Sequence, residues 1–141
     1  MQIGASIVAL HTDRDFVYVI GGMTSEREIV NSCTQVRLNS TLHEDPLNKV
    51  MHCARLPEPR FCHGSVTVRG SIVVVGGLSS FSVSMGMLSE PPCKQRVFQL
   101  DFLRDGIDAR NPSSQWKELP SMGAHASLHP TLIVVKNRFI Y

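Results

Sequence analysis

The sequence predicts an all-β protein built from repeated four-stranded antiparallel units. Three observations predict it. Two runs of mostly β-branched and aromatic residues each stop at a glycine pair: Phe16-Val17-Tyr18-Val19-Ile20-Gly21-Gly22 and Ser71-Ile72-Val73-Val74-Val75-Gly76-Gly77. The interval from Gly22 to Gly77 is the size of one small sheet, so the pairs read as copies of one unit. Apolar residues do not recur at helical spacing over any long window, and Pro57, Pro59, Pro91, Pro92, Pro112, Pro120 and Pro130 break most candidate helices.

The elements follow in order. Ala5 to Leu10 is a first strand, and Thr12 to Asp15 a polar turn. Phe16 to Ile20 is the second strand, closed by Gly21-Gly22, with a polar stretch from Thr24 to Glu28 beyond it. Cys33 to Leu38 alternates as a third strand, with Cys33, Gln35 and Arg37 on one face and Thr34, Val36 and Leu38 on the other. Asn39 to Asn48 is a loop, and Val50 to Leu56 a poorer fourth strand. The second unit repeats the plan: Gly64 to Val68, a tight turn at Arg69-Gly70, then Ile72 to Val75 closed by Gly76-Gly77. A long loop from Leu78 to Gln95 leads to a strand over Arg96 to Phe102. After a loop from Leu103 to Ser114, Gln115 to Leu119 is the fourth strand and carries the only Trp. A third unit opens with Leu132 to Val135 and turns at Lys136-Asn137-Arg138 into Phe139-Ile140-Tyr141.

Composition bounds the function. Of 141 residues, 43% are hydrophobic and 18% charged, which fits a globular chain with a core and not a disordered tail. A net charge of +2, with no basic stripe, argues against nucleic acid and anionic membranes as partners. No membrane-length apolar run and no signal-peptide pattern occur, so the expected setting is cytoplasmic. Cys33, Cys53, Cys62 and Cys93 are widely spaced, with no C-x-x-C, and are expected to be structural thiols in a reducing compartment.

These residues resemble the kelch repeat, the blade of a kelch β-propeller. The family pattern has an Arg and a His opening strand one, Gly-Gly ending strand two, and a Trp in strand four before Leu-Pro and Met. The second unit carries Arg60, His63, Gly76-Gly77, Trp116 and then Leu119-Pro120-Ser121-Met122. The first unit keeps Gly21-Gly22 and Leu56-Pro57, with Cys53 in the Trp place. The third keeps His129, with Ala126 in the Arg place. The resemblance implies a partial kelch-type propeller: residues 1–57 form a first blade, 58–122 a second and 123–141 the start of a third. Such propellers have about five to seven blades of about 40–50 residues, so the chain reads as a fragment completed by other blades or another copy.

The chemistry-bearing positions read mostly as structure. Gly21, Gly22, Gly76 and Gly77 suit positive φ and close backbone approach. Trp116 supplies apolar area between blades, and Arg60 has enough donors to tie neighbouring strands through carbonyls. His129 is expected to be structural. His52-Cys53 and Cys62-His63 hold zinc-type ligands but lack ligand spacing, so no metal or other cofactor is expected. No P-loop, G-x-S-x-G, H-E-x-x-H or dinucleotide fingerprint occurs, so no catalytic residue and no enzyme activity is expected.

The expected function is protein binding or scaffolding as part of a larger protein. Antiparallel order gathers the loops leaving strands two and four on one face, which in kelch propellers commonly binds partners. There the candidate contacts are Arg27, Ser79, Ser80, Phe81 and Met85. The resemblance allows a substrate-receptor role in a cullin-type ubiquitin ligase, which would require a BTB domain. The alternatives are a non-catalytic propeller fragment of a larger enzyme and a cytoskeleton-associated scaffold.

Overall fold

The glycine-ended runs become interior strands because both of their faces are apolar. In Ile72-Val73-Val74-Val75 every side chain is hydrophobic, so period-two alternation presents an apolar residue to each side. A computed structural model of the chain describes residues 4–10, 13–38, 50–80, 83–84, 87–88, 95–101, 115–123, 130–136 and 138–140. Among them there is no α-helix. Two four-stranded antiparallel sheets and two small hairpins make up the regular structure.

The first sheet contains β1 (Ser6–Leu10), β2 (Asp13–Ile20), β3 (Cys33–Arg37) and β4 (Val50–His52), in that spatial order. The second contains β5 (Gly64–Val68), β6 (Ser71–Val75), β9 (Val97–Asp101) and β10 (Lys117–Leu119), with the order β5-β6-β9-β10. A hairpin of β7 (Val83–Ser84) and β8 (Met87–Leu88) lies within the segment that joins β6 to β9. The third unit is a hairpin of β11 (Val134–Val135) and β12 (Phe139–Ile140).

Several strand ends differ from the sequence reading by one or two residues, so that Trp116 lies just before the fourth strand of the second unit and not in it, and three features differ by more. Asp13 to Asp15 belong to β2 and not to a turn, with Leu10 pairing Asp13 after a register shift at Ala9/Leu10. A ladder needs only backbone groups, so polarity did not reveal it. The fourth strand of the first unit stops at His52, and Cys53 to Leu56 run on without ladder pairing. The segment from Leu78 to Gln95, read as a loop, contains the β7–β8 hairpin. The predicted turn at Arg69-Gly70 is present: both residues have positive φ, and Val68 pairs with Ser71 across them, the geometry of a tight hairpin turn.

The sheets pack face to face. Val8, Tyr18, Ile20 and Cys33 of the first sheet, with Cys53, Ala54 and Leu56 beyond β4, meet Ile72, Val74, Phe98, Leu100 and Trp116 of the second. Val73, Val75 and Val97 point the other way and pack with Val66, Val68, Leu119 and Met122, and with Leu132 and Ile140 of the third unit. The second sheet is therefore covered on both faces. The first is covered on one.

Aligning the sheets on their glycine pairs sets Ile20 beside Val75. The pair Val19–Thr34 then matches Val74–Phe98, and Val36 matches Leu100. Lys117 pairs with Gln99 and Met51 with Gln35, so Trp116 matches Val50, and Cys53 matches Leu119. This corrects the assignment of Cys53 to the Trp place. Cys53 stands three positions further along, where its N–H donates to the Cys33 carbonyl at 2.8 Å.

Candidate functional site

The loops leaving the second and fourth strands are stitched to one another by backbone hydrogen bonds. Gly22 N–H donates to the Arg60 carbonyl at 2.7 Å, and Arg60 N–H to the Val30 carbonyl at 3.2 Å. Leu56 N–H donates to the Asn31 carbonyl at 2.9 Å, and the Asn31 amide returns a bond to the Leu56 carbonyl at 2.9 Å. Phe61 and Leu78 exchange a pair of 2.9 Å bonds, and Met122 N–H reaches the Gln95 carbonyl at 3.1 Å. Glycine makes this seam possible at two points. A Cβ on Gly22 (φ 107°) would lie 3.0 Å from the Ala5 Cβ, and one on Gly77 (φ 80°) would lie 2.7 Å from the His63 Cβ. Ala5 in the first unit thus stands where His63 stands in the second.

Arg60 is fully buried beneath this seam. Its Nη1 donates to the Gly76 carbonyl at 3.0 Å, and its Nη2 to the Arg96 carbonyl and to Glu58 Oε1, both at 2.6 Å. Nε also donates to Glu58 Oε1, at 3.1 Å. Its guanidinium carbon lies 4.7 Å from the Phe98 ring centroid, where cation and ring quadrupole attract. Burial lowers its pKa, and Glu58 opposes that shift. Every bond described points at the fold itself, so Arg60 is a strut. Arg96 extends the network outward: it pairs with Glu118 at 2.7 Å and with Glu58 at 3.5 Å, and its guanidinium lies 5.1 Å from the Phe98 ring. Its bond to Glu118 raises the Arg96 pKa and lowers that of Glu118. Arg96 and Glu118 are half-exposed and form the accessible end of this network.

His63 is buried, and its Nε2 lies 2.7 Å from the Ser6 hydroxyl of the first sheet. Burial, and then the charge of Arg60, push its pKa down to about 4. The ring is neutral at pH 7. The charge acting on the ring is a cation, which lowers its basicity. The pair is a hydrogen bond across the two sheets.

Trp116 is buried at 8% exposure just before β10, and its Nε1–H donates to the Ala54 carbonyl at 2.9 Å. Arg27 is exposed at the tip of the first loop, with a positive φ of 64°. That tip is held by Thr24 N–H to the Glu28 carbonyl at 2.8 Å and Arg27 N–H to the Thr24 carbonyl at 3.0 Å. Ser79 is partly exposed and Ser80 exposed beyond Leu78. Phe81, Met85, Cys93 and His129 lie outside the described residues.

Cys33 and Cys53 are buried thiols opposite one another, and their mutual contact, with burial, raises the pKa of Cys33. Burial also raises the pKa of Cys62. Among the described residues no three His, Cys, Asp or Glu side chains converge in a group that could hold a metal ion. Among them, too, no helix is long and apolar enough to cross a membrane.

Of the residues singled out in the sequence, Arg60, His63 and Trp116 make the buried contacts described above, and Gly22 and Gly77 lie at the seam. Glu58, Arg96, Glu118 and Ser6 were not singled out: Arg96, Glu118 and Ser6 meet partners far along the chain, and Glu58 pairs with Arg60 two residues on while also reaching Arg96. No protein-family model matches the chain, and comparison with curated proteins gave no match.

Proposed function

We propose that the chain is a kelch-type propeller module that binds a protein partner through the loops leaving strands two and four. The observation that carries this reading is the hydrogen-bonded seam of those loops. Residues from both four-stranded units meet there in one continuous rim, held from below by Arg60. A rigid scaffold that presents variable polar loops is the usual design of a recognition surface. Arg27, Ser79 and Ser80 are among its accessible polar groups, with Ser25, Glu26, Glu28 and Arg55 exposed on the same loops. A substrate-receptor role in a ubiquitin ligase is the specific form of this reading to test first.

The test captures partners on the full-length protein and compares wild type with two replacements. In one, Ser79 to Pro92 becomes a short Gly-Ser linker. In the other, Asn39 to Asn48 does. The reading expects the partner set to fall away in the first and persist in the second. The reverse result would place binding on the opposite rim.

A further inference from the structure

Cys33 and Cys53 take no part in the loop rim, yet the fold brings them together. Thr34 pairs with His52, and one step further along the two strands Cys33 faces Cys53. The Cys53 N–H donates to the Cys33 carbonyl at 2.8 Å, which makes the two a hydrogen-bonded antiparallel pair. Cα atoms in such a pair lie about 5.5 Å apart, within the span that a disulfide bridges. Both side chains are buried in the core between the sheets, and the thiols touch.

Burial keeps reagents away from the pair while the sheet is closed. The way in is β4. It is the edge strand of its sheet, held to β3 by three residue pairs, and Val50, Met51 and His52 are all exposed. So short an edge opens locally at far smaller cost than the whole fold, and its opening uncovers both thiols.

We propose that Cys33 and Cys53 are a reversible dithiol–disulfide pair, oxidised by a low-molecular-weight disulfide of the glutathione type. The Cys53 thiolate attacks one sulfur of the small disulfide, forms a mixed disulfide and releases one small thiolate. The Cys33 thiolate then attacks the Cys53 sulfur, closes the Cys33–Cys53 bond and releases the second. The two protons lost by the cysteines end on the two released thiols, and the two electrons given up by the protein reduce the small disulfide. The new bond anchors the segment after β4. There the Ala54 carbonyl accepts from Trp116, Leu56 and Asn31 exchange two hydrogen bonds, and Arg55 stands exposed. Oxidation thus stiffens the part of the rim around Arg55, and reduction loosens it. The inference rests on the strand register and holds whether or not the rim binds a protein.

The experiment equilibrates the 141-residue chain with reduced and oxidised glutathione at a series of ratios, folded and, in parallel, in urea. Half of each folded sample is first unfolded and refolded in its buffer, so that access to the buried thiols does not decide the result. Remaining thiols are trapped with N-ethylmaleimide and the chain is digested with trypsin. Trypsin places the four cysteines in four peptides, so peptide 28–37 joined to peptide 50–55 reports the bond. The equilibrium constant for the bond is expected to be about tenfold or more larger in the folded chain than in urea, because the fold holds the two thiols in place. Amides of Cys53 and Leu56 should exchange about tenfold or more slowly in the oxidised chain. Cys33→Ser should leave Cys53 as a mixed disulfide with glutathione and abolish the effect on exchange. No preference for the bond in the folded chain, a bond from Cys53 to Cys62 or Cys93 instead, or amide exchange unchanged by oxidation would overturn the proposal.

Discussion

The two four-stranded sheets have the same strand connectivity and the same glycine-ended second strand, yet they are built to different standards. The second is buried on both faces, carries Trp116 and Phe98 on one of them, and is tied by the Arg60–Glu58–Arg96 network. The first is buried on one face, with Val50 in the Trp116 place, Thr34 in the Phe98 place and Ala5 in the His63 place. The difference teaches that backbone pattern defines the repeat, while neighbours decide which side chains a copy needs.

The largest expected effects separate the sheets most clearly. Trp116→Ala should cost about 3–5 kcal/mol, because it empties a site between sheets and leaves the Ala54 carbonyl without its donor. Val50→Ala, at the matching but exposed place, should stay within about 0.5 kcal/mol. Equal costs by chemical denaturation would break the comparison. Arg60→Ala should cost a similar 3–5 kcal/mol or so, since Glu58 and two carbonyls lose a buried cation.

The His63–Ala5 difference predicts a pH dependence. His63 titrates near 6.5 unfolded and at about 4 folded, so in that window the unfolded state binds more protons. Stability is full above pH 6.5 and falls as pH drops toward 4, by about 3 kcal/mol in all. Urea titrations across this range should show the loss, and His63→Ala, which restores the first unit's residue, should flatten it. A variant with the wild-type slope would remove His63 as its source.

The smallest contrast concerns glycine. Gly123 has a φ of 59° and open space around its Cβ position. Gly123→Ala should therefore cost only about 1 kcal/mol of backbone strain. Gly77→Ala adds a clash with the His63 Cβ and the Phe61 carbonyl and should cost clearly more. Thermal melts of the pair would sharpen the role of close approach.

Much of this fold was legible in the chain. Ile72 to Val75 could only be an interior strand, and Arg69-Gly70 suited a tight turn. The burial side of β3 was not legible from hydropathy. Val36 and Leu38 look like the core face, yet Cys33 and Gln35 are the buried residues, and Gln35 donates to the Tyr18 hydroxyl at 2.8 Å. A partner on the neighbouring strand makes a buried amide acceptable, and sequence alone does not display the partner. The Val50–Trp116 correspondence was hidden for a related reason. Spacing to Leu-Pro suggested Cys53, whereas ladder pairing, which only the folded sheet defines, selects Val50. The candidate site was legible in part: Arg60 and His63 stood out, but Arg96, Glu118 and Ser6 acquire their roles only when distant strands meet, and the pairing of Glu58 with nearby Arg60 matters only once both are folded beneath Gly76 and Arg96.

The unequal burial of the two sheets is tested most directly by native-state hydrogen exchange on the wild-type chain. Amides of Val73 and Val74 in β6 should exchange only through global unfolding, while those of Val36 in β3 and Met51 in β4 should exchange faster, through local opening. Equal protection across both sheets, or slower exchange in the first, would contradict the account.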